Sequence, residues 1–177
     1  MLVFEFTNKT LDAFSNIGDY WGDKMPIMAC EEFAELSVAI IDFIASTNTD
    51  DKYNSPVSLK CVSLEVADAI ISIFAVAEHF GINYDEIIRI HNYKDIELGS
   101  RIINSEDMAA LTMYMCNKAT IHISKTVRKN TLENIEILTN ILGNLLGYLF
   151  SMCVNYNIYN EVVRIRIEDK LKETKEK

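Results

Sequence analysis

Residues 26–45, PIMACEEFAELSVAIIDFIA, and residues 58–80, SLKCVSLEVADAIISIFAVAEHF, decide the fold. Both stretches are long, apolar and free of glycine, the pattern of helices that bury most of their surface. Each carries carboxylates three residues apart among core-type neighbours: Glu31-Glu32-Phe33-Ala34-Glu35 on the first and Glu65-Val66-Ala67-Asp68 on the second. Helical residues three apart point only about 60° apart, so Glu32 and Glu35 share one side, as do Glu65 and Asp68. Burying an unpaired carboxylate costs several kcal/mol or forces it to take up a proton, so four of them at such positions require a cation.

The remainder of the chain agrees with an all-α reading. Hydrophobic residues make up 49% of the 177, and only 6 glycines and 2 prolines interrupt them, which makes long helices the default. Seven helices and no strand are expected. The first covers about residues 9–20. The second starts at Pro26, where a missing N–H costs nothing, and residues 46–56 form a polar loop after it. The third stops at Gly81-Ile82, the pattern of a left-handed cap. A fourth follows Asn83–Asp85 and ends near Gly99. Ser105 caps a fifth, which runs to about Lys129. Asn130-Thr131-Leu132-Glu133 reads as a capping box for a sixth that reaches about Asn155. A seventh leads from about Asn160 into a charged, fraying tail. Residues 135–156 are apolar enough to suggest a membrane span, but Asn140, Gly143, Asn144, Gly147 and Asn155 break the run and favour a buried core helix.

Charge is uneven. Residues 1–88 hold 4 Lys+Arg against 15 Asp+Glu, and residues 89–177 hold 13 against 11, within a net −9. The acidic balance argues against nucleic acid as a partner, because phosphate-backbone binding needs a basic footprint. Cys30, Cys61, Cys116 and Cys153 show no CxxC or Cys/His spacing and sit in apolar stretches, as free buried thiols of a reducing compartment do. Met1–Phe6 carries Glu5 and lacks a basic leader, so a cytoplasmic location and no membrane partner are expected.

The order of elements repeats. Ile82–Ile90 resembles residues 158–165 with one residue deleted, which suggests two copies of one helical unit, residues 1–104 and residues 105–177, packed into a single compact domain. A shift of 76 residues sets Ile141 opposite Glu65 and Asn144 opposite Asp68. Shifts of 83 to 86 set Tyr114, Met115, Lys118 or their neighbours opposite Glu31–Glu35, with no acid at either position. The second copy is therefore degenerate, and one acidic site per chain is expected. Hard oxygen ligands without His or Cys favour Mg²⁺, with Mn²⁺ possible, over Zn²⁺. A di-iron bundle would want Glu-x-x-His pairs, whereas His79 directly follows Glu78 and lies three turns from Asp68.

Trp21-Gly22, Glu31-Glu32-x-x-Glu35-Leu36, Ala39-Ile40, Glu65-x-x-Asp68-Ala69-Ile70 and His79-Phe80-Gly81-Ile82 together resemble the MazG-like all-α nucleoside-triphosphate pyrophosphohydrolases, a superfamily that includes the dimeric all-α dUTPases. The likeness covers residues 20–101 and reaches the remainder only through the internal repeat. It implies a MazG-like helical bundle that cleaves (d)NTPs, with dUTP or dCTP as narrower versions, to the monophosphate and pyrophosphate. It implies Glu32, Glu35, Glu65 and Asp68 as Mg²⁺ ligands, and Glu32 as the residue that orients or deprotonates water, with Glu31 or Glu35 as fallback. By the same likeness Asn92, Lys94 and Arg101 contact the substrate phosphates. The assembly implied is a monomeric pseudo-dimer or a homodimer. A long connection at residues 46–56 departs from compact members and reads as a lid or a slack loop. Trp21 reads as a hydrophobic cap and His122 as a satisfied structural histidine. Tyr114, Lys118, Lys125, Arg128 and Asn144 are further polar residues of the second half. The competing functions are a non-catalytic nucleotide or metal sensor and a helical interaction protein.

Overall fold

Local signals start and stop each helix. The computed structural model describes residues 6–48, 55–99, 103–158 and 160–175, and among them every regular element is helical. Helix α1 (Asn8–Trp21) starts where the Thr7 side chain accepts from the Thr10 backbone N–H and ends at Gly22, whose φ of 49° suits glycine. A short 3-10 turn, Gly22–Lys24, leads into α2 (Met25–Asn48), with Pro26 in its first turn. Then come α3 (Ser55–His79), α4 (Tyr84–Gly99), α5 (Ser105–Arg128), α6 (Leu132–Asn155) and α7 (Asn160–Lys175).

Two caps differ by one residue from the sequence expectation. Asn104, not Ser105, caps α5: its Oδ1 accepts from the Asp107 N–H at 2.7 Å. Thr131, not Asn130, caps α6, accepting from Asn134 N–H at 3.3 Å, while the Asn134 amide donates to the Lys129 carbonyl at 2.7 Å. The expected loop at 46–56 is shorter than supposed. α2 continues through Asn48 and α3 begins at Ser55, and residues 49–54 lie outside the described residues.

α3 and α6 end in the same way. Ile82 N–H donates to Ala77 O at 2.8 Å and Gly81 N–H to Glu78 O at 3.0 Å, with Gly81 at φ 66°. Seventy-six positions on, Ile158 N–H donates to Cys153 O at 2.9 Å and Asn157 N–H to Val154 O at 3.4 Å, with Asn157 at φ 53°. Asparagine tolerates the left-handed region better than most residues, which lets it stand where the earlier cap has glycine. α4 and α7 begin at the same offset, Tyr84 and Asn160, and each has 16 residues. The deletion inferred from the sequence alignment is therefore absent from the helix starts.

α2, α3, α6 and α5 pack in that cyclic order into a four-helix bundle, with α1 and α7 lying on α3, and α4 lying on α6. α3 is consequently enclosed: Val66, Ala67, Ala69, Phe74, Ala75, Val76 and Ala77 are all fully buried. Phe14 stacks on Phe74 with ring centroids 4.9 Å apart, and Phe6 and Tyr84 close on the same ring at 5.1 and 5.4 Å. α6 is the one described helix long and apolar enough to cross a membrane, but 72% of its apolar window is buried inside the bundle. That is the core role expected of it. All four cysteines are free; Cys116 and Cys153 are buried and Cys30 half-buried, but Cys61 is exposed, contrary to expectation.

Candidate metal centre

α2 supplies Glu32 and α3 supplies Glu65 and Asp68, and a carboxylate oxygen from each lies within 4.8 Å of the others. The convergence follows from the packing of α2 on α3 and from the i, i+3 spacing on α3. The walls are apolar: Phe33, Leu36, Val66 and Ala67 are fully buried beside them. At such spacing two carboxylates repel by about 3 kcal/mol in a medium of effective dielectric near 20. Burial lifts the Glu32 carboxyl above its ordinary range; Lys170 pulls it down, while Asp68 and Glu35 push it further up. Burial also raises Glu65, reinforced by Asp68, Glu35 and Glu32 and opposed by Arg166.

The cations come from α7, the seventh helix expected from about Asn160, in the part that the sequence reading took for a charged, fraying tail. Arg166 grips Asp68 with both edges of its fork: Nε lies 3.1 and 3.2 Å from the two carboxylate oxygens and Nη2 lies 2.9 Å from Oδ2. Lys170, one turn on, places its Nζ 3.5 Å from Glu32 Oε1 and 3.6 Å from Asp68 Oδ2. Val163 and Ile167 bury the same face of α7 against the core. The i, i+4 pair of Arg166 and Lys170 beside that apolar i, i+4 pair was the readable signal, and a highly charged C-terminal composition obscured it.

Two cations face three carboxylates, and the shortfall falls on Glu65. Its Oε2 is buried and has no hydrogen-bond partner among the described residues. An orphaned buried carboxylate oxygen, with two further hard oxygen donors within reach and no nitrogen or sulfur ligand, fits Mg²⁺ or Mn²⁺. Glu35 is exposed one turn along α2, outside the three-residue cluster, yet its charge reaches both Glu32 and Glu65. A cavity of about 70 Å³ adjoins the cluster, lined by Tyr20, Trp21, Met25, Met28 and Ser72 as well as Glu32, Asp68 and Lys170. That volume has room for a few waters only; nucleotide-sized ligands need about 300 Å³ or more. α7 in this position therefore closes the cluster.

Lys94 and Asn92, two of the three residues expected to hold phosphate, lie on α4. Lys94 donates to Glu97 at 2.8 Å and sits 5.1 Å over the Tyr148 ring, so its recorded partners belong to α4 and α6 rather than to the acidic cluster. Asn92 is exposed on α4, and Arg101 lies outside the described residues. In the second half Ile141 is buried, and the half-buried Asn144 donates to its own helix at Asn140 O. His122 is not satisfied as expected: its buried Nδ1 finds no partner among the described residues, and burial with Lys125 and Lys118 lowers its pKa. Trp21 packs edge-on against Tyr20 and lines the cavity.

Removing Arg166 takes the bidentate partner from the predominantly buried Asp68 carboxylate and leaves it only the longer contact to Lys170 at 3.6 Å. Arg166→Met should lower metal-free stability by about 2 kcal/mol, less than for a fully buried pair because Arg166 is 28% exposed. A thermal melt by circular dichroism reads this as a fall of roughly 4–8 °C for a chain of this size.

Comparison with models of protein families, with curated proteins and with solved structures found no match.

Proposed function

We propose that this chain is an Mg²⁺-dependent nucleotide pyrophosphohydrolase, cleaving (d)NTPs to (d)NMPs and pyrophosphate at one site per chain. The observation that carries the reading is the convergence of Glu32, Glu65 and Asp68 from two helices, with one buried Glu65 oxygen left unpaired. These three would hold the metal, Mn²⁺ being an alternative. Bound there, it would neutralise and polarise a triphosphate. Glu35, exposed one turn along α2, would accept a proton from an attacking water, and Glu32 with its raised pKa is the second candidate for that role. With a metal balancing the carboxylates, Arg166 and Lys170 would be free to bind phosphate oxygens, the Arg fork for bidentate contact and the Lys as a point charge. They take the part that sequence likeness gave to Lys94 and Arg101.

The proposal includes a MazG-like tandem architecture with a degenerate second unit. The identical caps of α3 and α6, and the common offset of 76 residues for caps and following helices, support it. At that offset Ile141 and Asn144 stand for Glu65 and Asp68, which removes a metal site from the second unit. Pyrophosphate release from a panel of NTPs and dNTPs with Mg²⁺ is the test; no release from any of them sinks the enzyme reading.

One observation favours a second reading. Arg166 and Lys170 already neutralise most of the cluster, as they would in a purely structural ion-pair core. Mg²⁺ raising the melting temperature without turnover indicates a sensor; no shift at all indicates a structural cluster.

The raised Glu32 and Glu65 values give a pH dependence of definite sign. A carboxyl whose folded value lies above its unfolded one contributes stability below the ordinary value of 4.5, and that contribution is lost as pH rises through the folded value. Glu65→Gln cannot ionise. Its metal-free melting temperature should therefore gain on that of the wild type as pH climbs from about 4.5 through the raised range. Stabilisation of the wild type by Mg²⁺ should grow over the same window, because the ligands bind deprotonated. Parallel pH profiles for the two proteins would refute this.

A further inference from the structure

The bundle is covered on one side only. α1, α4 and α7 overlie α3 and α6, whereas the outward faces of α2 and α5 carry no further helix among the described residues. Among the described residues those two faces hold half of the large exposed apolar side chains: Ile27, Val38 and Ile41 on α2, and Tyr114, Ile121 and Val127 on α5, each more than half exposed. Single exposed apolar residues are ordinary; two adjacent rows of them are not.

The rows have the spacing of helix–helix seams. On α2 the outward residues Ile27, Glu31, Ala34, Val38, Ile41 and Ala45 alternate steps of four and three. On α5 Ala110, Tyr114, Asn117, Ile121 and Ser124 do the same, all of them exposed. Alternating steps of three and four are the pattern that lets one helix surface receive another's side chains. Cys30 donates to the Thr120 carbonyl and Ser37 bonds Cys116, so α2 and α5 run antiparallel with Val38 roughly level with Tyr114.

Charge identifies the occupant. The outward side of α2 carries Glu31, Glu35 and Asp42, whereas α5 beyond Asp107 carries Lys118, Lys125 and Arg128 and no acid. A two-fold axis parallel to the helices would set α2 of one copy over α5 of another at the same height. Glu31, in the outward row, would then face Lys118 and Lys125 of the second copy, and Val38 would face Tyr114. An axis perpendicular to the helices would instead stack α2 on α2, acid on acid, which is unfavourable. Two helices of 24 residues, at 1.5 Å per residue and about 10 Å wide, present roughly 700 Å² per copy. Stable interfaces bury about 600–1,000 Å² per partner, so the face lies within the range of a stable dimer.

We infer that the α2–α5 face is the interface of a two-fold homodimer, with α2 of each copy seated on α5 of the other. The arrangement is closed, so it leads to dimers rather than fibres. It does not depend on the function proposed above.

Sedimentation equilibrium of the full chain at micromolar concentration tests it. The expected mass is twice 20.2 kDa. Val38→Glu combined with Ile121→Glu should raise the dimer dissociation constant at least 100-fold and leave the helical circular dichroism spectrum intact. Lys118→Glu combined with Lys125→Glu should raise it about tenfold, and added salt should weaken the wild-type dimer. A monomer at tens of micromolar overturns the inference, as does a dimer that Val38→Glu with Ile121→Glu leaves unmoved. A dimer broken by those two substitutions but strengthened by the lysine reversals and by salt overturns the α2-on-α5 pairing.

Discussion

Glu32→Gln is expected to lower pyrophosphate release by about 10³-fold, near 4 kcal/mol in the activation barrier, with the helical fold retained. The substitution keeps the volume and removes one charge from a trio of carboxylates packed within 4.8 Å. Burial and the neighbouring acids already disfavour the charged form of Glu32, so an uncharged isostere should melt no lower than the wild type without metal. Loss of turnover with an unchanged melt is the signature of a residue that serves chemistry at a cost in stability. Glu65→Gln should behave alike, and both should abolish the Mg²⁺-induced thermal shift. Glu35→Gln should separate the roles: turnover falls while the Mg²⁺ shift persists, because Glu35 stands outside the three-residue cluster. If Glu32→Gln retains turnover within tenfold of the wild type, Glu32 is neither ligand nor base.

Much of the fold was readable from the sequence because it rests on local signals. Pro26 in the first turn of α2, the Gly81 cap and the breaks at residues 130 and 158 are each set by residues in place. The cap at Asn157 was not readable as such, since an asparagine in the left-handed region has no signal beyond its type. Glu32, Glu65 and Asp68 were found because a carboxylate in an apolar helix is a conflict that only tertiary structure resolves. What resolves it was missed. Arg166 lies 98 positions from Asp68, and Lys170 138 from Glu32, so no local rule connects them. Lys94 misled for the complementary reason. A basic residue after the third helix is near the acids in sequence, but α4 departs from α3 to lie on α6.

The docking of α4 is also where the largest loss of stability is expected. A Cβ at Gly143 would lie 2.6 Å from Ile90 Cβ, 2.7 Å from Ile90 Cγ2 and 3.0 Å from the Ile87 carbonyl oxygen. Two of those three atoms are fixed to the α4 backbone, so no rotamer change relieves the contact and the helix must shift as a body. At Gly147, one turn on, the close atoms are Lys94 Cβ and Cγ, both at 2.9 Å, and the nearest backbone atom, His91 O, stands off at 3.7 Å; Cγ can turn away, and the overlap with the fixed Cβ is smaller than at Gly143. Gly143→Val should therefore cost about 3 kcal/mol or more, roughly 6–12 °C in melting temperature, and Gly147→Ala distinctly less. Ile90→Ala should rescue Gly143→Val only in part, because it removes Cγ2 and leaves Cβ. α6 does not contribute to the acidic cluster, so the residual folded fraction of Gly143→Val should keep its Mg²⁺ response. Equal losses at the two glycines would mean that α4 does not approach α6 through Ile90, and the docking described for α4 would then be wrong.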